Sequence, residues 1–384
     1  MRKKWFLLAA SLAAALAAAL TIPAYASPVV VDITRATGAK VAGQYIVTLA
    51  SGTPVGTTAS ALSAEPLFTY RAAMHGFAAR LSSAQLTALQ HNPRVVRIEE
   101  DAVAHATTTQ TSPTWGLDRI DERALPLSGS YTYNHTGSPV RAYIIDTGIA
   151  TSHPDFGGRA SNVKDTVGDG RNGQDCNGHG THVSGTVGGT KYGVAKKVLL
   201  RGVRVLNCQG SGSYSQVIAG IDWVTGHAVK PAVANMSLGG GYSSSVNSAA
   251  TKLANSGVFL AVAAGNSGAS ACNYSPSSAS NVTAVAASDK TDTRASFSNY
   301  GSCVDVYAPG VSVKSDWLNG STNTISGTSM ASPHVCGVAA LYKHTYGDKA
   351  SSTINTWIID NSTKSVIKSN PSGTPNRLLY KSSL

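Results

Sequence analysis

Apolar runs alternate with amphipathic patterns over the larger, second part of the chain. Val, Ile, Leu and Ala dominate five short runs, which lie at residues 140–145, 198–206, 232–237, 258–264 and 282–287. Helical spacing of apolar positions appears between them, at residues 179–188, 215–227 and 246–256. Continuous apolar strands that alternate with helices are typical of a parallel sheet covered on both faces. The pattern therefore predicts an α/β fold for this region.

The segment from about residue 27 to 105 has a different pattern. Apolar stretches at 44–49 and 95–99 predict two strands. Between them, Ser82 precedes a helical pattern that runs to Gln90, and serine is a favoured N-cap. This predicts a small α+β unit. Residues 104–113 are small and polar, which is the composition of a linker.

Polar or Gly-rich residues follow three of the apolar runs directly. These are Asp146-Thr147-Gly148, Ser237-Leu238-Gly239-Gly240 and Gly265-Asn266-Ser267. Ligands of open α/β sheets bind beyond the carboxyl ends of the strands. We therefore expect the functional site at these three strand ends.

The first residues have the pattern of a secretory signal peptide. A positive start at 2–4 leads into an apolar stretch at 5–22, and the small residues of Ala24-Tyr25-Ala26 predict cleavage after Ala26. The alternative is a membrane anchor. The apolar stretch is short for a span of about 20 residues, and no later stretch is long enough to cross a bilayer.

Composition and charge exclude some classes of partner. Hydrophobic residues are 42% of the 384 and charged residues only 13%, so the chain can bury a large core and is not disordered by composition. The formal net charge of +11 is scattered and forms no basic stripe with interleaved aromatic residues. We therefore expect a mildly basic secreted surface and no nucleic-acid partner.

All five cysteines lie after residue 170, and secretion permits disulfides between them. The odd number leaves at least one thiol unpaired within a monomer, and the spacing alone does not choose partners. No pair has C-x-x-C spacing, so a zinc cluster is not favoured.

Three short motifs carry candidate chemistry, and each is ambiguous by itself. Asp146-Thr147-Gly148 also occurs in aspartic proteases, which need two facing carboxylates, but the motif occurs only once here. Residues 177–185, Asn-Gly-His-Gly-Thr-His-Val-Ser-Gly, lack the Glu and the spacing of H-E-x-x-H metalloproteases. Residues 327–334 read Gly-Thr-Ser-Met-Ala-Ser-Pro-His, and their first serine, Ser329, could be a plain helix N-cap.

Together the three motifs resemble the subtilase family of serine proteases, in which the catalytic residues follow the order Asp, His, Ser. The resemblance begins near Trp115 and is strongest to the proteinase K branch, in particular to secreted bacterial members of the aqualysin type. Three more stretches support it, at residues 115–121, 237–242 and 296–301.

The resemblance implies a fold and a domain organisation. We expect an α/β, subtilisin-like three-layer fold with a mostly parallel central sheet, preceded by a small α+β ferredoxin-like propeptide. The implied boundaries are a signal peptide at 1–26, a propeptide at 27–106 that acts as intramolecular chaperone and inhibitor, and a peptidase domain at 107–384.

The resemblance also implies the activity and the catalytic residues. The protein is expected to be a secreted, monomeric serine endopeptidase of broad specificity that processes its own precursor and acts on proteins and peptides. His179 would take the proton of the nucleophile Ser329, while Asp146 fixes the imidazole. Asn266 would donate to the oxyanion. No cofactor for catalysis is expected.

Other polar residues near the motifs are expected to have smaller roles. We interpret His182 and His334 as local structural partners, and Asp155 and Asp175 as solvated acids. Substrate contacts implied by the family form two edges for an extended peptide and the wall of the primary pocket. They are Gly210, Ser211, Gly212, Tyr214, Ser237, Leu238, Gly239, Ala263, Ala264 and Gly265.

Two alternative functions belong to other classes. A serine esterase or lipase would use G-x-S-x-G and the order Ser, Asp, His, whereas residues 327–331 lack the second glycine. A binding protein with an inactive catalytic domain is disfavoured because all three catalytic residue types are present.

The resemblance implies two disulfides, Cys176–Cys208 and Cys272–Cys303, and a free, buried Cys336. It also implies structural calcium at two places. The ligands of the first would be Asp118, Asp121, Glu122, Ser128 and Ser130, and those of the second would be Asp305 with carbonyls of Ser280 and Val282. The alternatives are a solvated helix start and an ordinary strand acid.

Overall fold

The structure is a computed structural model that describes residues 30–36, 40–102 and 108–384. The signal peptide expected at 1–26 lies outside the described residues, as does the propeptide cleavage expected near residues 105–107. The chain divides into two compact units, one up to Val103 and one from Ala104.

The described residues of the first unit form a five-stranded sheet and two helices. Its strands lie in the order β1-β5-β2-β4-β3, in which β1 and β5 are parallel and the other neighbours antiparallel. The elements are β1 (Ile33–Thr34), β2 (Lys40–Leu49), α1 (Val55–Ser60), β3 (Pro66–Tyr70), β4 (Gly76–Arg80), α2 (Ser83–Gln90) and β5 (Val95–Ala102).

The predicted helix of this unit begins as its sequence indicates. Ser82 caps α2, because its hydroxyl accepts from Gln85 N while the Gln85 side chain accepts from Ser82 N. The core between sheet and helices contains the fully buried Val47, Phe77 and Leu89. Burial of apolar side chains on one sheet face is what holds such a small unit together.

The second unit contains a nine-stranded sheet in the order β19-β20-β16-β15-β13-β11-β8-β10-β9, parallel except for β19 against β20. Those nine strands are β8 (Arg141–Asp146), β9 (Ala160–Asp165), β10 (Leu199–Arg204), β11 (Ala232–Met236), β13 (Phe259–Ala263), β15 (Thr283–Ser288), β16 (Val306–Pro309), β19 (Thr363–Lys364) and β20 (Arg377–Leu378).

Helices and short hairpins complete this unit. The helices are α3 (Trp115–Asp121), α4 (His179–Gly188), α5 (Tyr214–His227), α6 (Ser244–Asn255), α7 (Thr328–Tyr346) and α8 (Ser351–Asn361). Three two-stranded sheets pair β6 (Thr108–Thr111) with β7 (Ser130–Tyr133), β12 (Gly240–Gly241) with β14 (Tyr274–Ser275), and β17 (Val313–Asp316) with β18 (Thr322–Ile325).

Each face of the large sheet is covered, which makes three layers. Successive residues of a strand point to opposite faces. Accordingly, Ile144 of β8 packs in one buried cluster with α4, α7 and α8, whereas Tyr143 and Ile145 pack in a second with α5 and α6. This explains the continuous apolar runs.

One boundary differs from the prediction. Thr108–Thr111, expected in a linker, is a strand that pairs with β7, so part of that segment is integrated into the second unit. All four side chains of this strand are polar, so the segment gave no apolar signal.

No helix within the described parts of the chain is long and apolar enough for a membrane span.

Candidate active site

Asp146 is the last residue of β8 and is completely buried. One of its carboxylate oxygens, Oδ1, accepts hydrogen bonds from His179 Nδ1 at 2.7 Å and from Thr147 N at 2.7 Å. Bound in this way, the carboxylate fixes the proton of His179 on Nδ1 and leaves Nε2 as the basic nitrogen.

His179 is the first residue of α4, which begins after Gly178. Gly178 has φ +104°, and a Cβ there would lie 2.4 Å from the Trp317 ring, so this turn requires glycine. The His179 side chain remains 24% exposed. Burial opposes its protonation, but the charge of Asp146 and the hydrogen bond to it prevail and raise the pKa of His179.

Ser329 lies in the first turn of α7, on a helix that is otherwise almost fully buried. Its hydroxyl donates to the Ser237 carbonyl at 3.0 Å, and the Ser237 hydroxyl donates to the Ser329 carbonyl at 2.7 Å. These reciprocal bonds hold the start of α7 against the end of β11. Among the described residues, no hydrogen bond joins Ser329 to His179. Such bonds are often loose without substrate.

Asn266 follows the end of β13 and is oriented by Thr328. The Thr328 N–H and hydroxyl both donate to Asn266 Oδ1, at 2.8 and 2.9 Å. The amino group, Nδ2, lies next to Gly327, where a Cβ would come within 3.6 Å of it. The amide donor is therefore held beside the residues that precede Ser329.

The loop that carries Asn266 is braced by the fully buried Asn299, which sequence analysis did not single out. Asn299 Nδ2 donates to Ala264 O at 2.9 Å, and its Oδ1 accepts from Ser267 N and Ala269 N. Gly265 has φ +104°, and a Cβ there would lie 2.3 Å from Asn299 Nδ2. The one available signal was the position of Asn299 within the family-like stretch 296–301.

A cavity of about 430 Å³ lies beside His179. Both predicted peptide edges line it, the first with Gly210, Ser211, Gly212 and Tyr214 and the second with Ser237, Leu238 and Gly239. Ala263, Ala264 and Gly265 lie at the end of β13 and are not part of its lining.

Tyr214 differs from its predicted role as part of an extended edge. It is the first residue of α5, and Ser213 before it is the N-cap, with its hydroxyl accepting from Gln216 N. Tyr214 is 41% exposed, and its hydroxyl donates to Gly241 O at 2.7 Å, which joins the start of α5 to β12. The capping box Ser213–Gln216 was a readable signal for this helix start.

The prediction that Asp155 and Asp175 are solvated is wrong. Asp155 accepts from Lys191 N at 2.8 Å and from Tyr192 N at 3.3 Å. Asp175 accepts five hydrogen bonds around the start of α4, from two hydroxyls and three backbone N–H groups. Both acids are half-buried and organise the loops on which they lie.

His182 and His334 are buried and lie outside the Asp146–His179 pair. His182 Nε2 contacts Val313 O at 3.0 Å, and His334 Nδ1 contacts Met330 O at 2.9 Å. Burial lowers the pKa of each to about 4, so both are neutral at pH 7. Their burial and neutral state agree with the structural roles predicted for both histidines.

The first group of predicted calcium ligands lies together. Gly129 N donates to Asp118 Oδ2 at 2.9 Å, and Ser128 N donates to Glu122 Oε1 at 2.8 Å. The Ser128 and Ser130 hydroxyls are 2.8 Å apart. Burial, and then the charge of Glu122, raise the pKa of Asp118.

Asp121, by contrast, already binds other groups of the protein. Its carboxylate accepts from Lys381 Nζ at 2.8 Å and from Thr132 N at 2.7 Å. Within the described ranges, no cluster of three or more His, Cys, Asp and Glu side chains is arranged to hold a metal.

Asp305, of the second predicted calcium site, accepts from Ala284 N at 2.8 Å, and burial raises its pKa. Ser280 and Val282 directly precede β15, the strand that contains Ala284. The three predicted ligands therefore lie on neighbouring segments.

The structure has the disulfides that the family resemblance implied. Cys176 is bonded to Cys208 and Cys272 to Cys303, whereas the thiol of Cys336 is free and buried in α7. Burial raises the pKa of Cys336 well above that of an exposed thiol, which makes it a poor nucleophile.

Comparison with known proteins agrees with this geometry. Residues 140–378 match the family model described as the subtilase family, and residues 44–107 match peptidase inhibitor I9. An extracellular serine proteinase of Thermus sp. (strain Rt41A) is 52% identical over 313 residues, which cover 81% of this chain and 76% of that protein. Proteinase R of Parengyodontium album is 44% identical over 355 residues, which cover 90% of each.

A solved structure is also similar to this chain. The crystal structure of a cold adapted subtilisin-like serine proteinase matches with a TM-score of 0.69 at 49% identity, over 71% of this chain and 99% of that one.

The chain belongs to the subtilase family. It is a serine endopeptidase with the predicted subtilisin-like fold, it needs no cofactor for catalysis, and an I9-type inhibitor propeptide precedes the peptidase.

Proposed function

We propose that Asp146, His179 and Ser329 form the catalytic triad and that Asn266 supplies an oxyanion donor. The observation that carries this assignment is the 2.7 Å hydrogen bond between His179 Nδ1 and the buried Asp146 carboxylate. It leaves His179 Nε2 as the base, and His179 lines the cavity.

The reaction then follows from these positions. A rotation about χ1 moves the Ser329 hydroxyl from the Ser237 carbonyl towards His179 Nε2, which takes its proton as Oγ attacks the peptide carbonyl carbon. Asn266 Nδ2 stabilises the oxyanion. The protonated His179 gives its proton to the leaving amine, and water hydrolyses the acyl-enzyme by the same steps.

The substrate is proposed to bind as an extended strand between residues 210–213 and 237–239. Residues 210–212 and 237–239 line the cavity beside His179, and both segments are rich in Gly and Ser. Main-chain hydrogen bonds then supply much of the binding free energy, which favours broad specificity. Ala263, Ala264 and Gly265 are proposed to line the primary pocket, since they are small and lead directly to Asn266.

The chain is proposed to be made as a secreted zymogen, with a signal peptide at 1–26, a propeptide at 27–106 and a monomeric enzyme at 107–384. Extracellular location is supported by the Thermus relative, which is named an extracellular proteinase. N-terminal sequencing of the secreted protein should begin near residues 105–107. A start before residue 100 would refute this boundary.

Ser329→Ala tests the assignment. Because the nucleophile is lost, we expect no casein hydrolysis and a precursor that stays uncleaved. Ser372→Ala, which changes an exposed serine of the same unit, is the matched control and should mature normally. Normal maturation of purified Ser329→Ala, without another protease present, would overturn the assignment.

Structural calcium is proposed at both predicted places. The Asp118 and Glu122 carboxylates repel each other, and two serine hydroxyls lie beside them, so a bound cation would relieve the repulsion. At Asp305, burial of a carboxylate next to carbonyl-bearing segments suits the same ion. Asp121 contributes less to the first site than expected because Lys381 binds it.

Melting temperatures test the calcium proposal. Excess calcium should raise Tm relative to excess chelator, since a ligand of the native state alone stabilises it. The difference should shrink in Asp118→Asn and Asp305→Asn but not in Asp360→Asn, a control at an exposed acid of α8. The same Tm of the wild type with calcium and with chelator would refute both sites.

A further inference from the structure

The start of α4 lacks the usual side-chain cap. Its N-cap is Gly178, which has no side chain to accept from the first N–H groups of the helix. Asn177 Oδ1 accepts from His179 N at 3.2 Å, and Asp175, three residues upstream of Gly178, takes another part of this role. Its Oδ1 accepts from Asn177 N and Gly178 N, both at 2.9 Å, and its Oδ2 accepts from Thr181 N at 2.9 Å.

The same carboxylate also reaches the strand that carries the catalytic acid. Thr147 Oγ1 donates to Asp175 Oδ1 at 2.9 Å and accepts from Gly180 N at 2.9 Å. Thr147 N in turn donates to Asp146 Oδ1 at 2.7 Å. A continuous set of hydrogen bonds therefore joins the end of β8 to the start of α4, the two segments that contain Asp146 and His179.

The charge of Asp175 acts on the same histidine. After burial and Asp146, it is the remaining influence on His179, and it raises the pKa of His179. A second negative charge close to the imidazole stabilises its protonated form, which is the form that exists during the acylation step.

We propose that Asp175 is a positioning residue for the protease reaction, which holds His179 against Asp146 through Thr147 and the α4 N-terminus and stabilises the imidazolium. The proposal rests on the assignment of His179 as the base. His179→Ala tests that assignment separately, because retention of full activity in that variant would refute the triad itself.

The experiment compares Asp175→Asn with wild-type enzyme over a range of pH, with a chromogenic peptide as substrate. The amide keeps the size of the side chain but removes the charge and part of the accepting capacity. We expect kcat to fall about tenfold or more, as for other residues that orient a catalytic group, with KM nearly unchanged. The midpoint of the acidic limb of kcat/KM should move to lower pH, because the pKa of His179 falls.

Asp289→Asn is the matched control. Asp289 also caps a turn, where its Oδ1 accepts from Thr291 N, Thr291 Oγ1 and Thr293 N. This control should show wild-type kcat and the wild-type acidic midpoint. A purely structural role of Asp175 would lower the yield of folded enzyme but leave the midpoint in place, and an unmoved midpoint in Asp175→Asn would overturn the proposal.

Thr147→Val decides the matter if Asp175→Asn gives no processed enzyme. This change keeps the carboxylate and removes only the hydroxyl that connects it to Gly180 and to the Asp146 strand. Lower kcat with an unchanged acidic midpoint supports the proposal, since the hydrogen bonds are broken and the charge remains. Wild-type kcat in Thr147→Val would overturn it.

Discussion

The two ends of helix α4 provide opposite surroundings for a carboxylate. At the N-terminal end, Asp175 accepts five hydrogen bonds. At the C-terminal end lies Asp316 of β17, whose side chain is fully buried, accepts no hydrogen bond within the described part of the chain and lies against the Asp155 carboxyl. A Cβ added to Gly185 would lie 2.6 Å from Asp316 Oδ2, so this carboxyl packs directly on the last turns of the helix.

The physical reason for the difference is the direction of the helix. The first turn presents unpaired N–H groups and the positive end of the helix dipole, whereas the last turn presents carbonyls and the negative end. Burial, and then the neighbouring Asp155, raise the pKa of Asp316 to about 8, while Arg159 opposes them. At neutral pH the C-terminal end therefore favours a protonated Asp316.

His153 is another ionisable neighbour of Asp316. Its Nδ1 lies 3.6 Å from Asp316 Oδ1 and accepts from Asp155 N at 3.2 Å, while its Nε2 contacts Ser321 O at 2.9 Å. In the neutral tautomer that these contacts favour, Nδ1 has no proton to donate to Asp316. The comparison thus shows that the N-terminal end of α4 surrounds Asp175 with hydrogen-bond donors, whereas the C-terminal end favours a neutral Asp316.

The largest effect should come from the N-terminal end of α4, where the proposed catalytic residues lie, through Asp146→Asn. The amide can present its NH2 group to His179 Nδ1, which selects the wrong tautomer of the imidazole. We expect self-cleavage of the precursor to slow by about 10,000-fold, as in other triads, with no comparable loss of folded protein. The measurement is the first-order rate of precursor cleavage on gels.

Asp289→Asn again serves as the control, because it should cleave at the wild-type rate. A loss of less than tenfold in Asp146→Asn would mean that the tautomer of His179 does not depend on this carboxylate. The N-terminal end of α4 would then be no more sensitive to the loss of a carboxylate than the C-terminal end.

Local patterns explain why most of the fold could be predicted. Helix α4 spans the predicted residues 179–188, and the central strands lie within a few residues of the apolar runs, because buried parallel strands and amphipathic helices each leave a periodic signal. The three motifs that contain the proposed triad are also local. Each lies where a strand ends or a helix begins.

The surroundings of Asp316 and Asp175 could not be predicted because they depend on contacts between distant segments. Asp316 is affected by residues 153–159 and 185–189, more than 120 positions away, and nothing beside it in the sequence indicates a buried acid. Asp175 looked like one more polar residue of a loop, since its role depends on Thr147. Tyr214 and Thr108–Thr111 were misread because their neighbours are polar.

Asp316→Asn tests the C-terminal end through the pH dependence of stability. In the unfolded chain this carboxyl loses its proton near its ordinary pKa of 3.8, and in the folded protein only near pH 8. The folded state therefore binds the extra proton between these values, and the wild type loses stability as pH rises through this window. Above about pH 8 the loss is complete, and the asparagine variant has no such loss.

The measurement is Tm of the mature enzyme, blocked with a serine-directed covalent inhibitor, at pH 5 and at pH 9. Asp316→Asn should gain about 5 °C over the wild type on going from pH 5 to pH 9, because a few kcal/mol shifts Tm of a domain of this size by that order. Asp155→Asn should give a smaller gain in the same direction, since loss of that charge lowers the pKa of Asp316. Equal pH dependence in Asp316→Asn and the wild type would show that the buried acid ionises without cost and that the two ends of α4 do not differ.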